Sequence, residues 1–87
     1  MSRVTQVSKP ALAERIEAHE GELAIFLADR EVRIPWEKCS PRLAAATGEQ
    51  RRNAELSPGG YGIHWPMIDE DLSISGLLRD SGNDQQR

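Results

Sequence analysis

His64 stands between Ile63 and Trp65, a few residues ahead of an unbroken acidic run, Asp69-Glu70-Asp71. An imidazole that titrates near neutral pH, placed near a carboxylate, is the beginning of general acid–base machinery. Such machinery also needs a nucleophile or a substrate proton within reach. No such third group is apparent, so we read His64 as a structural residue whose ring hydrogen-bonds the acidic run. Three carboxylates can attract a hard cation. Consecutive residues cannot all aim at one ion, however, and no glycine-punctuated calcium loop surrounds them. We read them as acids at a helix start, where they complement the helix dipole. His19-Glu20 lacks a second histidine at zinc spacing. No metal and no cofactor are expected.

Three further groups carry chemistry by type. Gly59-Gly60-Tyr61-Gly62 is glycine-rich but lies between strands, whereas a phosphate cradle needs a helix behind it. Gly59, Gly60 and Gly62 are therefore read as a turn and a close backbone approach. Cys39 precedes a helix start, where a thiol pKa can fall, but no histidine spacing supports a nucleophile. Arg42, Arg51 and Arg52 form the one basic cluster, by default a solvated helix face and otherwise a docking patch for an acidic partner or a phosphate backbone. Tyr61, Trp36 and Trp65 are of the types enriched at binding hot spots. With so few aromatics, at least one tryptophan must fill the core, and Trp65 is read as structural.

The elements that position these residues are short. Pro10 to Glu20 fits a helix capped by Ser8 and stopped by Gly21. It also fits a strand with Leu12, Glu14, Ile16 and Ala18 on one face; local propensity leans to helix. Glu22 to Leu27 is a strand apolar on both faces. Ala28 to Glu31 is a turn, and Val32 and Ile34 mark a half-buried strand closed by Pro35. Ser40-Pro41 opens a helix, and Thr47 with Gln50 opens a second through a capping box. Ala54 to Leu56 and Tyr61 to Trp65 flank the Ser57-Pro58-Gly59-Gly60 turn as a hairpin. Asp69 to Leu78 reads as an acidic lead into a short helix.

The chain has 87 residues, 38% hydrophobic and 29% charged, which is room for one domain with a modest core. We expect it to run from residue 10 to 79, with a flexible start at 1–9 and a disordered tail at 80–87. The net charge of −3 argues against a general nucleic-acid binder. Beyond Arg52 the only basic residues are Arg79 and Arg87, against Glu55, Asp69, Glu70, Asp71, Asp80 and Asp84. A single cysteine excludes an internal disulfide and suggests a reducing compartment. No apolar run approaches the ~20 residues of a membrane span, and Met1 to Val7 lacks a signal-peptide layout. A cytoplasmic protein is expected.

From Pro41 onward the residues carry a resemblance. Pro41-Arg42-Leu43, Ala46-Thr47 and Glu49-Gln50-Arg51 are followed by Gly59-Gly60-Tyr61-Gly62-Ile63-His64-Trp65-Pro66, Asp69-Glu70-Asp71-Leu72-Ser73 and Leu77-Leu78. In this order they resemble the bacterial domain-of-unknown-function family DUF 2442, over roughly Leu12 to Leu78. The resemblance implies an α+β fold: a small two-layer domain with an antiparallel sheet, made of an N-terminal meander and a C-terminal hairpin, and two or three short helices. It also implies that Leu12 to Ala18 is the first strand, and we take that side. Arg30, Cys39 and Gly48 depart from the usual glycine, aromatic and proline of the family.

Some family members are fused to a helix-turn-helix domain, which we do not expect in so short a chain. Others resemble the antitoxin-side gene of two-gene cassettes, beside a second family, DUF 4160. We therefore expect a non-enzymatic protein-binding module, an antitoxin-like partner of a small DUF 4160-like toxin, with room for a homo-oligomer. Tyr61, Asp69, Glu70, Asp71, Arg42, Arg51 and Arg52 are its candidate contacts. The alternatives are a nucleic-acid-associated transcriptional regulator acting through the arginines, and a small enzyme centred on His64 and the acidic run.

Overall fold

The structure, a computed structural model, describes residues 11–81. The expected flexible start at 1–9 lies outside the described residues, as does the expected tail apart from Asp80 and Ser81, which end and cap the last helix. The fold is α+β, built on two three-stranded antiparallel sheets.

The first sheet is a meander of β1 (Ala13–Ala18), β2 (Glu22–Leu27) and β3 (Glu31–Pro35). The N-terminal segment is thus the strand implied by family likeness, against its local helix preference. Pairing with β2 supplies what propensity does not. His19 N donates to Glu22 O at 2.9 Å across the first turn, and Leu27 N to Arg30 O at 2.8 Å across the second. Arg30 fits there without the positive φ that a glycine would allow. Strict alternation along β1 fails, because Ala13 pairs with Leu27 while Arg15 pairs with Phe26. The bulge leaves Glu14 as the extra residue and puts Ala13 on the core face beside Ile16 and Ala18. The opposite face is ionic. Arg33 reaches Glu22 at 2.8 Å and Glu31 at 2.6 Å, and Arg15 lies 4.0 Å over the Phe26 ring.

Three short helices follow: α1 (Trp36–Cys39), α2 (Pro41–Ala44) and α3 (Gly48–Arg52). Ser40 Oγ accepts from Leu43 N at 3.1 Å. Thr47 and Gln50 close a reciprocal capping box at 3.1 and 2.9 Å. α1 adds a helix where the sequence suggested none.

The second sheet comprises β4 (Glu55–Leu56), β5 (Gly62–Trp65) and β6 (Glu70–Ser73), with a 3-10 turn at Pro58–Gly60 between β4 and β5. The expected C-terminal hairpin is therefore three strands and a separate sheet. The acidic run is likewise not a helix start: Leu72 pairs with Ile63 and Asp71 with His64, so the segment gains more as a strand against β5. The reversal at Pro66 to Asp69 is completed by Asp69, with φ of 52°, a left-handed conformation that aspartate tolerates better than most residues. α4 (Ile74–Asp80) begins only after this strand, and Ser73 Oγ caps it by accepting from Gly76 N at 2.9 Å. The helices number four among the described residues, against two or three expected.

The core lies where both sheets and the helices meet. Leu23, Ile25, Ile34, Leu43, Ile74, Trp36 and Trp65 are its fully buried side chains. The tryptophans keep their polar ends satisfied: Trp36 Nε1 donates to His19 O at 2.9 Å and Trp65 Nε1 to Arg51 O at 3.1 Å. The sheets touch where Gly60 crosses β1. Its φ is 77°, and a β-carbon there would collide with the Ala13 carbonyl, so glycine alone permits the approach. No described helix is long and apolar enough to cross a membrane.

Candidate functional site

Alternation along β5 decides which side chains face out. Ile63 and Trp65 point into the core and His64 points away from it. Its cross-strand neighbours are Glu55 on β4 and Asp71 on β6. The outer face of the second sheet therefore carries a row of acid, imidazole and acid. His64 Nδ1 lies 2.7 Å from Asp71 Oδ1. An ionised carboxylate only accepts, so Nδ1 carries the hydrogen of this contact. The side chains are 40% and 73% exposed, which makes this a solvated pair of small net worth.

An open groove of about 350 Å³ runs beside this pair, lined by Ser57, Tyr61, Gly62, His64, Asp71 and Ser73 among others. Both serine hydroxyls are engaged by backbone: Ser57 Oγ accepts from Gly62 N at 3.0 Å and Ser73 Oγ from Gly76 N at 2.9 Å. Neither bonds His64, so the histidine–aspartate pair has no partnered nucleophile among the described residues. The tyrosine ring is 56% exposed, and Gly59 leaves room beneath it, since a β-carbon there would lie 3.0 Å from Tyr61 Cε2. A β-carbon at Gly62 would likewise come within 3.1 Å of the Leu72 carbonyl oxygen. The arrangement offers an aromatic face, an imidazole and an exposed carboxylate on a shallow surface, which suits binding of polar or cationic groups.

The structure brings Tyr61 and Asp71 together here. Asp69 sits exposed at the turn between β5 and β6, and Glu70 pairs across from Trp65. The arginines are separated from this groove, and Arg42 stands apart from Arg51 and Arg52, which line one cleft elsewhere. Arg42 Nη1 donates to the Ile68 and Asp69 carbonyls at 3.0 and 3.3 Å, pinning that turn. Arg51 donates to Leu43 O at 3.0 Å, Ala44 O at 2.9 Å and Glu20 O at 3.4 Å. Its guanidinium also lies 5.3 Å from the Trp36 ring centre. Only Arg52 is left without a partner among the described residues.

Cys39 is buried, with Sγ 3.9 Å from Ile34 O. Burial pushes its thiol up to about 12, against a smaller opposing pull from Arg51, so the thiolate that chemistry needs is suppressed. Among the described residues no group of three or more histidine, cysteine or acidic side chains could hold a metal. Ser57 and Ser73 were missed as groove residues. Their only signal in the sequence is their place before Pro58 and before the last helix.

A family model described as a protein of unknown function (DUF2442) matches residues 13–82. A protein of unknown function from Rhodospirillum rubrum ATCC 11170 has a similar structure, with a TM-score of 0.73 at 24% identity over 82% of this chain and 88% of its own. An uncharacterised protein from Chromobacterium violaceum matches with a TM-score of 0.66 at 27% identity, over 86% of this chain and 69% of its own. No curated protein matches the chain.

Proposed function

We propose that the chain, which belongs to the DUF2442 family, is a non-enzymatic protein-binding module that docks a basic partner on the outer face of its second sheet. The observation that carries this reading is the exposed Tyr61 ring sharing an open groove with the exposed Asp71 carboxylate. Exposed tyrosines are frequent binding anchors. Neighbouring acids speed encounter with a basic surface and set its orientation more than they add affinity. Asp69, exposed at the adjoining turn, extends the same charge. The reading reaches further through family likeness: the chain acts as the antitoxin-like half of a toxin–antitoxin type pair in a reducing, cytoplasmic compartment, and occludes a small basic DUF 4160-like partner.

Two observations rank the alternatives lower. Arg42 and Arg51 are engaged by carbonyl oxygens, which leaves little basic surface for a nucleic-acid regulator. An enzyme at His64 would need a nucleophile that the groove does not present. The test is capture from native lysate with the wild-type chain and with a Tyr61→Ala, Asp71→Asn double variant whose fold is verified by melting. A basic protein held by the wild type, released by salt and lost with the variant supports the reading. A partner retained equally by the variant removes this face from consideration.

A further inference from the structure

A second cleft, remote in sequence from the tyrosine groove, opens where the β1–β2 turn faces α3. It holds about 430 Å³ and is lined by Ala18, His19, Glu20, Gly48, Arg51 and Arg52. Its charge is unlike the rest of an acidic chain, with two guanidiniums and an imidazole set against the carboxylate of Glu20. His19 Nε2 is 3.2 Å from Glu17 Oε1, so that ring is already oriented.

The two arginines are differently prepared. A guanidinium carries five N–H donors, and Arg51 uses three of them on the carbonyls of Leu43, Ala44 and Glu20. Those bonds fix its plane and leave two N–H groups undirected. Arg52 has no partner among the described residues. Its Nη1 lies over the backbone of Gly48, where a β-carbon would come within 3.2 Å of it. One cation is thus immobilised by the fold and its neighbour is uncommitted, and both line the same cleft.

We propose that this cleft binds the phosphate group of a small phosphomonoester, with Arg52 and the two remaining N–H groups of Arg51 as donors. Guanidinium forks match phosphate oxygens and give the stronger, charge-assisted hydrogen bonds. A fixed fork loses little freedom on binding. The volume lies within the range of small-molecule sites, roughly 300–1,000 Å³, so the cleft has space for an organic body beside the phosphate. A polymer is disfavoured because the cations form no stripe: Arg42 is tied to the turn at Ile68 and Asp69, and the net charge is −3.

The test is amide-shift mapping of the full chain titrated with glycerol phosphate, inorganic phosphate and acetate at constant ionic strength. Saturable single-site shifts at His19, Glu20, Gly48 and Arg52 are expected with both phosphates and not with acetate. Arg52→Gln should weaken binding about tenfold or more, the scale of one charged hydrogen bond, with an unchanged melting temperature. Arg52→Lys should recover part of it, and Glu20→Gln should tighten it. Shifts that stay linear with concentration, or that saturate with unchanged affinity in Arg52→Gln, would overturn the proposal. So would an oligonucleotide that binds through Arg52 while glycerol phosphate does not. The tyrosine groove plays no part in these outcomes.

Discussion

Trp36 and Trp65 meet edge to face, with ring centres 6.4 Å apart and planes at 81°. One leads out of the first sheet and the other ends β5, so this contact joins the two halves of the core. The quadrupoles of the rings favour the perpendicular arrangement, and both indole N–H groups are bonded to backbone. Trp65→Ala should cost about 3–5 kcal/mol through the cavity it leaves. That is a large part of the 5–15 kcal/mol typical of a whole domain. Urea unfolding followed by Trp36 fluorescence measures it. A loss below about 1 kcal/mol would mean that the rings are not the joint.

Glycine is required more strictly at one turn position than at its neighbour. Gly59 and Gly60 both have positive φ, at 86° and 77°. A methyl at Gly59 meets only the movable Tyr61 ring, whereas one at Gly60 meets the backbone of β1. Gly59→Ala should cost roughly 1–2 kcal/mol, the left-handed penalty alone. Gly60→Ala should cost clearly more, because the sheets must separate to admit it. Paired thermal melts decide the order, and equal losses would show that the junction yields.

Adjacent arginines should behave oppositely. Arg51 closes the end of α2, ties in the β1–β2 turn and covers Trp36. Arg51→Ala should remove about 2–4 kcal/mol, since it leaves carbonyls unpaired. Arg52→Ala should stay within about 0.5 kcal/mol, as for other exposed positions. Denaturant midpoints at matched slopes provide the comparison.

The Cys39 thiol should be slow to alkylate. Its pKa is pushed up to about 12 by burial, from an ordinary value near 9. At pH 8 iodoacetamide should modify the native chain at least ~100-fold more slowly than the urea-unfolded chain. The sign for stability follows. Between pH 9 and 12 the unfolded chain loses this proton first, so the contribution of the buried thiol is complete below 9 and fades as pH rises. Fast labelling of folded protein would contradict the buried placement.

Some of this was readable in the residues. Glu22 to Leu27 announces a covered strand because Ala24 and Phe26 lie apolar on its second face, and the structure shows why: Arg15 and Arg33 lie over that side with their acids. Thr47 and Gln50 spell out their capping box locally. Ile63 and Trp65 force His64 outward by alternation alone. Other features depend on partners distant in sequence. Glu70 to Ser73 has the composition of a helix lead, and only β5 makes it a strand. Trp36 to Cys39 is too short to display a helical period. The bulge at Glu14 and the internal use of Arg51 arise from register and packing, which a linear reading does not contain.

The strand order carries a kinetic consequence. Each sheet pairs only consecutive strands, β1-β2-β3 and β4-β5-β6, so every ladder closes across a short connection and no crossover is needed. Loop-closure entropy grows with the span to be closed, and chains dominated by local pairings fold quickly for their class. The demanding event is then the docking of two locally formed meanders, when Trp36 finds Trp65 and Gly60 slides under β1. Residues at that seam belong to the late part of the folding reaction, and the turns belong to the early part.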